Sequence, residues 1–272
     1  MKEEYVKICQ KAVKYFALAL AIFLTVSIIG SIISAFGSVF GIFGGTSLGE
    51  IETYDLSGEV RSLQLEVAAA KLEITEAESF SVKSNISDLE VDLTDGILKI
   101  KEKKRFFGYY NDAVLEIVIP KGFSFESATL TLGAGDVNID SLSAERLDLE
   151  LGAGKAVIGS LFATHFADID GGAGELNVNG GAIRDLDFDM GVGECNLRLR
   201  MSGDCDLDMG VGEANITLLG SESDYKIEFT TGLGAAAFNG KSVEDGQIFG
   251  NGSCQLEISG GIGELNVRIE AE

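Results

Sequence analysis

The order of apolar and polar positions is the dominant signal in this chain. Short alternating runs recur, as in Leu147-Asp148-Leu149-Glu150-Leu151, Leu186-Asp187-Phe188-Asp189-Met190 and Cys205-Asp206-Leu207-Asp208-Met209. Alternation with period two marks a strand with one buried and one wetted face. Each run leads into a Gly-x-Gly step, after which a second alternation begins, such as Glu213-Ala214-Asn215-Ile216-Thr217-Leu218. The first glycines of these steps stand at 133, 152, 172, 191 and 210, so the phrase returns after 19, 20, 19 and 19 residues. Degenerate copies follow at Gly232-Leu233-Gly234 and at Gly261-Ile262-Gly263-Glu264-Leu265-Asn266-Val267.

A fixed period of this length is the signature of coils stacked into a solenoid. The Gly-x-Gly step predicts a corner, because glycine reaches backbone angles closed to other residues and lets neighbouring coils approach closely. Each coil then holds two clear strands and a third, less regular side, such as Ser160-Leu161-Phe162-Ala163. Equivalent strands pair one coil apart, about 4.8 Å away, around a continuous apolar column. The predicted fold is all-β, a parallel β-solenoid (β-helix) of coils of about 19 residues with Gly-x-Gly corners. Helices are excluded by the missing 3,4-spaced apolar stripe and by the cost of 35 glycines. A dinucleotide-binding fold is excluded because Gly-x-Gly-x-x-Gly is not completed at Asn138, Asn177 or Asn215. Gly171-Gly172-Ala173-Gly174 opens like a calcium-binding nonapeptide, but Leu176 stands where that pattern needs Asp.

The first part of the chain has a different grammar. Residues 1–14 carry Lys2, Lys7, Lys11 and Lys14, and no charge follows until Glu50. Residues 15–45 are predicted to form one transmembrane α-helix, since the apolar stretch far exceeds the core of a cleaved leader. Lysines before it and Glu50, Glu52 and Asp55 after it place residues 1–14 in the cytoplasm and residues 46–272 outside, as a single-pass protein of the cell membrane. Gly37 and Gly41, four residues apart in that stretch, are candidates for a helix–helix contact with another membrane protein. Irregular coils are expected over 51–120, regular ones over 121–220 and looser ones over 221–272. Leu63 to Ile74 repeats the coil with alanines at its corner, Asp95-Gly96 marks a hairpin turn, and 242–252 is expected to be a loop.

Composition narrows the chemistry. Forty-three acidic against 21 basic residues give a formal charge of −22, which excludes nucleic acid as a partner. Aligned on the glycines, Asp148, Asp168, Asp187 and Asp206 fall in one outward column, and Glu150, Asp170, Asp189 and Asp208 in a second. Glu175, Glu194 and Glu213 form a third beyond the corner. Asp187, Asp189, Asp206 and Asp208 are the candidate ligands if a divalent cation such as calcium settles between rungs; otherwise the columns form a solvated acidic face, and no cofactor is expected. The external part has one basic, aromatic cluster, in which Lys103, Lys104, Arg105, Tyr109 and Tyr110 are candidates for contact with envelope polymer or lipid. Cys195 and Cys205 read as core thiols, and Cys254 is expected two rungs from Cys205, too far for a disulfide. One histidine, His165, lies on the irregular side, tryptophan is absent, and no insertion is long enough to build a cleft. No catalytic residue is assigned.

Leu115-Glu116-Ile117-Val118-Ile119-Pro120-Lys121-Gly122, followed by the Gly-Ala-Gly coils, resembles the "putative adhesin" β-solenoid domains of bacterial cell-envelope proteins, a group similar to the head domains of autotransporter adhesins. The resemblance covers residues 51–272. It implies a right-handed solenoid behind one N-terminal membrane helix, and it carries no catalytic residues. The expected function is a non-enzymatic, adhesin-like binding or structural scaffold. The alternatives are an accessory of an envelope-stress sensor acting through a membrane partner, and a β-helix enzyme acting on polysaccharide.

Overall fold

The computed structural model describes residues 48–102 and 112–271, and these are all-β apart from one 3-10 turn at Glu222–Asp224. The strands are β1 (Glu52–Tyr54), β2 (Ser62–Ala69), β3 (Lys71–Ala77), β4 (Ser81–Ser84), β5 (Leu89–Thr94), β6 (Ile97–Glu102) and β7 (Val114–Pro120), then the two long elements β8 (Phe125–Val178) and β9 (Gly181–Leu219). After the 3-10 turn come β10 (Tyr225–Thr230), β11 (Ala235–Phe238), β12 (Lys241–Ser242), β13 (Gln247–Gly250) and β14 (Cys254–Glu270). The membrane helix expected over 15–45 lies outside the described residues, as do Gly37, Gly41 and the cluster from Lys103 to Tyr110. Among the described residues no helix is long and apolar enough to cross a membrane.

β8 is 54 residues long because the backbone stays extended through its corners and returns to lie on itself. The pairing is parallel and in register. Leu65 pairs with Leu130, Ile169 with Phe188, Leu207 with Ile258, and Ile258 with Phe229. These residues alternate with exposed neighbours, as the period-two pattern requires, and all of them lie in one continuous apolar core. The longer 20-residue interval is absorbed by a shift of register between Ala163 and Ala167, which bulges Thr164, His165 and Phe166 outward.

The corners depend on close backbone approach. Gly193 has φ +142°, and a Cβ there would run into the carbonyl oxygen of Gly174 one coil away. The alanine corner of the first full coil has a different surrounding. β2 pairs with β6 only as far as Glu66, and β3 pairs with β7 from Lys71 onward. Among the described residues, 67–70 therefore have no registered strand on that side, and the Ala68 N–H donates to the carboxylate of the buried Glu102 at 3.1 Å.

Antiparallel strands pair onto the stack at both ends. β5 and β6 form a hairpin through Asp95 (φ 52°) and Gly96 (φ 79°), and β4 pairs with β1 and β7. At the other end β13 covers β10 and β12 covers β11, so the expected loop over 242–252 contains a strand.

Chain order and spatial order part company after Leu219. β14 lies directly on β9, with Leu256 opposite Cys205, while β10 and β11 lie on the far side of β14. The coil around Gly261 therefore precedes the coil around Gly232 in space. This overturns the expectation that a coil separates Cys205 from Cys254. Cys254 does not share the column of Cys205, and the two buried thiols face each other across adjacent coils; that proximity, together with burial, pushes the Cys254 thiol up.

Gly193→Ala is expected to cost about 3 kcal/mol or more, or to prevent folding, because both the positive φ and the facing carbonyl oppose a Cβ. Gly180→Ala is the control: its φ is not in the left-handed region and its nearest neighbour would be 3.5 Å away, so it should stay within about 1 kcal/mol. Denaturant unfolding of the chain lacking residues 1–47 compares the two.

Candidate functional site

Two wetted faces flank the glycine corner, and each repeats from coil to coil. On the strand before the corner, Asp168 pairs in register with Asp187 and Asp170 with Asp189. Asp206 lies opposite Glu257, which extends the first column, and Asp208 opposite Ser259, which ends the second. The four candidates Asp187, Asp189, Asp206 and Asp208 are thus neighbours on one face. Among the described residues no group of three or more His, Cys, Asp or Glu is arranged to hold a metal ion.

Like charges stacked in columns oppose ionisation. Asp168 titrates above the ordinary aspartate range because packing partly removes it from water, with Asp170, Asp187 and Asp148 adding to the effect. Asp189 is raised by the same partial burial and then by Asp208 and Asp170, and Asp206 by burial and then by Asp208 and Glu257.

The face beyond the corner solves the same problem with hydrogen bonds. Glu175 is in register with Glu194, and Glu213 with Glu264. Two residues on, Asn196, Asn215 and Asn266 each spend one N–H on their own coil's glutamate and the other on the preceding coil's asparagine. Asn196 Nδ2 donates to Glu194 Oε1 at 2.8 Å and to Asn177 Oδ1 at 2.8 Å. Asn215 Nδ2 reaches Glu213 Oε1 at 2.9 Å and Asn196 Oδ1 at 3.0 Å. Asn266 Nδ2 reaches Glu264 Oε1 at 3.1 Å and Asn215 Oδ1 at 3.2 Å. Asn177 Nδ2 and Lys155 Nζ both donate to Glu175 Oε1, at 2.6 and 2.8 Å, and hold its carboxyl below the ordinary glutamate range, Lys155 contributing most. The row ends where Ala235 and Ala237 face Glu264 and Asn266.

The sequence did not single out this amide row as a site, although the Glu-x-Asn that follows the corners at Gly172, Gly191, Gly210 and Gly261 was its signal. It also accounts for the order of the last coils. Glu264 and Asn266 continue the row from Glu213 and Asn215, which Gly234-Ala235-Ala236-Ala237 has no groups to do.

His165 sits exposed on the bulge, with Nδ1 3.3 Å from Thr164 Oγ1. Cys195 is buried, and burial pushes its thiol up to about 12, far from the thiolate that nucleophilic chemistry needs. What the described faces present is repetition: carboxylates in two columns, then carboxylate and amide in register.

Asn196→Ala removes both donor bonds and leaves Asn215 without its acceptor, so stability should fall by about 1–3 kcal/mol, seen as a lower melting midpoint. Asn196→Asp should fall further at neutral pH, where it sets a charge beside Glu194, and recover as the pH drops through the carboxylate range. The aspartate columns predict a pH dependence of definite sign. A carboxylate whose folded pKa is raised opposes folding once ionised, and that opposition is relieved as the pH falls through the raised value. Glu175, Asp224 and Glu270 are depressed, by Lys155, by the Ser221 N–H and by Arg198 respectively, so their contributions are lost only at lower pH. The melting midpoint should therefore rise on mild acidification before it falls. An Asp168→Asn, Asp206→Asn variant should melt higher than the parent at pH 7, with the difference vanishing below the ordinary aspartate range.

No protein-family model matches the sequence, and no curated protein matches it. Among solved structures, the chain is similar to a "putative cell adhesion protein" from Clostridium sporogenes ATCC 15579, with 18% identity over 81% of this chain and 99% of that one and a TM-score of 0.34. It is similar to a "putative adhesin" from Bacteroides fragilis NCTC 9343, with 14% identity over 81% and 96% and a TM-score of 0.45. It is also similar to a "putative lipid binding protein" from Parabacteroides distasonis ATCC 8503, with 12% identity over 83% and 98% and a TM-score of 0.41. Nothing about ligands or partners follows from likeness at this level.

Proposed function

We propose that the chain is a right-handed β-solenoid, anchored in the cell membrane by residues 15–45, that serves outside the cell as a non-enzymatic, adhesin-like scaffold of the envelope. The observation that carries this reading is the coil-to-coil identity of the exposed side chains. Catalysis gathers unlike groups at one point, a nucleophile with a base and a charge stabiliser. Here like groups are set out at one spacing along a face, an arrangement suited to presenting a surface rather than to converging on a reacting atom. Two acidic columns keep such a prism soluble and discourage side-to-side association. Attachment is then left to the basic, aromatic cluster at Lys103, Lys104, Arg105, Tyr109 and Tyr110, whose cations suit an anionic envelope polymer or lipid surface.

Protease added to intact cells lacking an outer barrier should remove residues 46–272; a mature N-terminus beyond Gly44 would refute the anchor. The chain lacking residues 1–47 should sediment with isolated cell-wall polymer. Replacing Lys103, Lys104, Arg105, Tyr109 and Tyr110 by serine should reduce that sedimentation at least tenfold without lowering the melting midpoint. Sedimentation that survives the five replacements removes this cluster from the role, and failure of the parent to sediment removes the scaffold reading.

A further inference from the structure

The apolar core that runs through the coils is left open at its C-terminal end. β13 covers β10 and β12 covers β11, and among the described residues the remaining side of this last coil is bounded by the 3-10 turn and the end of β14. A cavity of about 310 Å³ opens there, walled by Tyr225, Ile227, Phe238, Phe249 and Ile269. Its aromatic wall is tightly built: Phe238 and Phe249 have ring centroids 4.6 Å apart, and each lies about as near to Phe229, at 6.0 and 5.8 Å. The Tyr225 hydroxyl is already committed, donating to the Leu219 carbonyl at 2.6 Å, so its ring offers an apolar surface.

The rim is polar and nearly saturated. Asn239 bridges it, with Nδ2 donating to Glu222 Oε1 at 3.1 Å and Oδ1 accepting from the Ile269 N–H at 3.1 Å. Asn239 and Gly240, both at positive φ, form a two-residue hairpin turn that sets Lys241 directly opposite Phe238. Cross-strand partners share a face, so the Lys241 stem runs beside the aromatic wall and its ammonium reaches the rim. Lys241 is the one cation on the lining, and no ion pair holds it among the described residues.

We infer that this end cavity is a binding site for a medium-chain carboxylate, with its hydrocarbon in the aromatic cavity and its carboxylate on Lys241. A cavity of about 150 Å³ accepts benzene, so the present one has room for about eight carbons, and it lies at the lower end of the volumes of small-ligand sites. A carboxylate completes the rim because the amide and Glu222 already satisfy each other and the ammonium is what remains. Carboxylate binding here does not depend on the attachment role proposed for the basic, aromatic cluster.

The test uses the full chain in phosphatidylcholine nanodiscs and an eight-carbon carboxylate carrying a terminal diazirine, with labelled residues located by mass spectrometry. Labelling should saturate and fall on segments containing Tyr225, Phe238, Phe249 and Ile269. Octanoate should compete at least tenfold better than octylamine, and Lys241→Gln should weaken that competition about tenfold. Ile269→Phe, which fills the cavity, should abolish labelling, with circular dichroism reporting that the variant is folded. If it does not fold, Lys241→Gln at an exposed hairpin position decides alone. Labelling that does not saturate, competition by octylamine equal to that by octanoate, or an unchanged Lys241→Gln would each overturn the assignment.

Discussion

In-register parallel stacking sets each side chain against its counterpart one coil away, so every outward position must be compatible with a copy of itself. That constraint governs the whole molecule. Apolar residues meet it without cost, as Ile169, Phe188, Leu207 and Ile258 do in the core. Asparagine meets it well, because its amide offers an acceptor on one side and donors on the other, and Asn177, Asn196, Asn215 and Asn266 form a directional chain. Aspartate meets it badly, and the raised titration of Asp168, Asp189 and Asp206 is the result. Glycine at the corner is the same constraint applied to the backbone, since coils this close leave no volume for a Cβ.

The two faces beside the corner are therefore different answers to one electrostatic problem. Glutamates in register would repel as the aspartates do. Each glutamate of the amide row instead accepts an N–H from the asparagine two residues on, and Lys155 neutralises the first member. The aspartate face has no such donors built into it and relies on solvent. One face is thus rigidly hydrogen-bonded along the stack, and the other stays hydrated and responsive to pH.

Much of this was legible in the residues. Period two and the recurrent Gly-x-Gly located strands, corners and the stacking interval, because both are local properties of the backbone. The turn at Asp95-Gly96 was legible for the same reason. The position of β14 was not, because chain order is the natural guide to spatial order. The information was nonetheless present, in the match of Gly261-Ile262-Gly263-Glu264-Leu265-Asn266-Val267 to the phrase at Gly210 and the absence of Glu and Asn after Gly234. The contact of Cys205 with Cys254 was missed with it, since a wrong neighbour in space carries every column with it. The end cavity was hidden for a different reason: its wall comes from β10, β11, β13 and β14, which converge only once the last coil is closed.

The placement of β14 has a consequence for how the chain comes together in time. A stack whose coils follow one another in sequence can fold as it emerges, each new coil docking on the last. Here the strand that pairs with β9 follows β10 and β11 along the chain, and those two have no place on the stack until it arrives. The edge of β9 therefore stays unpaired until β14 has been made. β14 is the strand through which β10 and β11 join the rest of the stack, so a chain cut before Cys254 would leave them without a partner on β9.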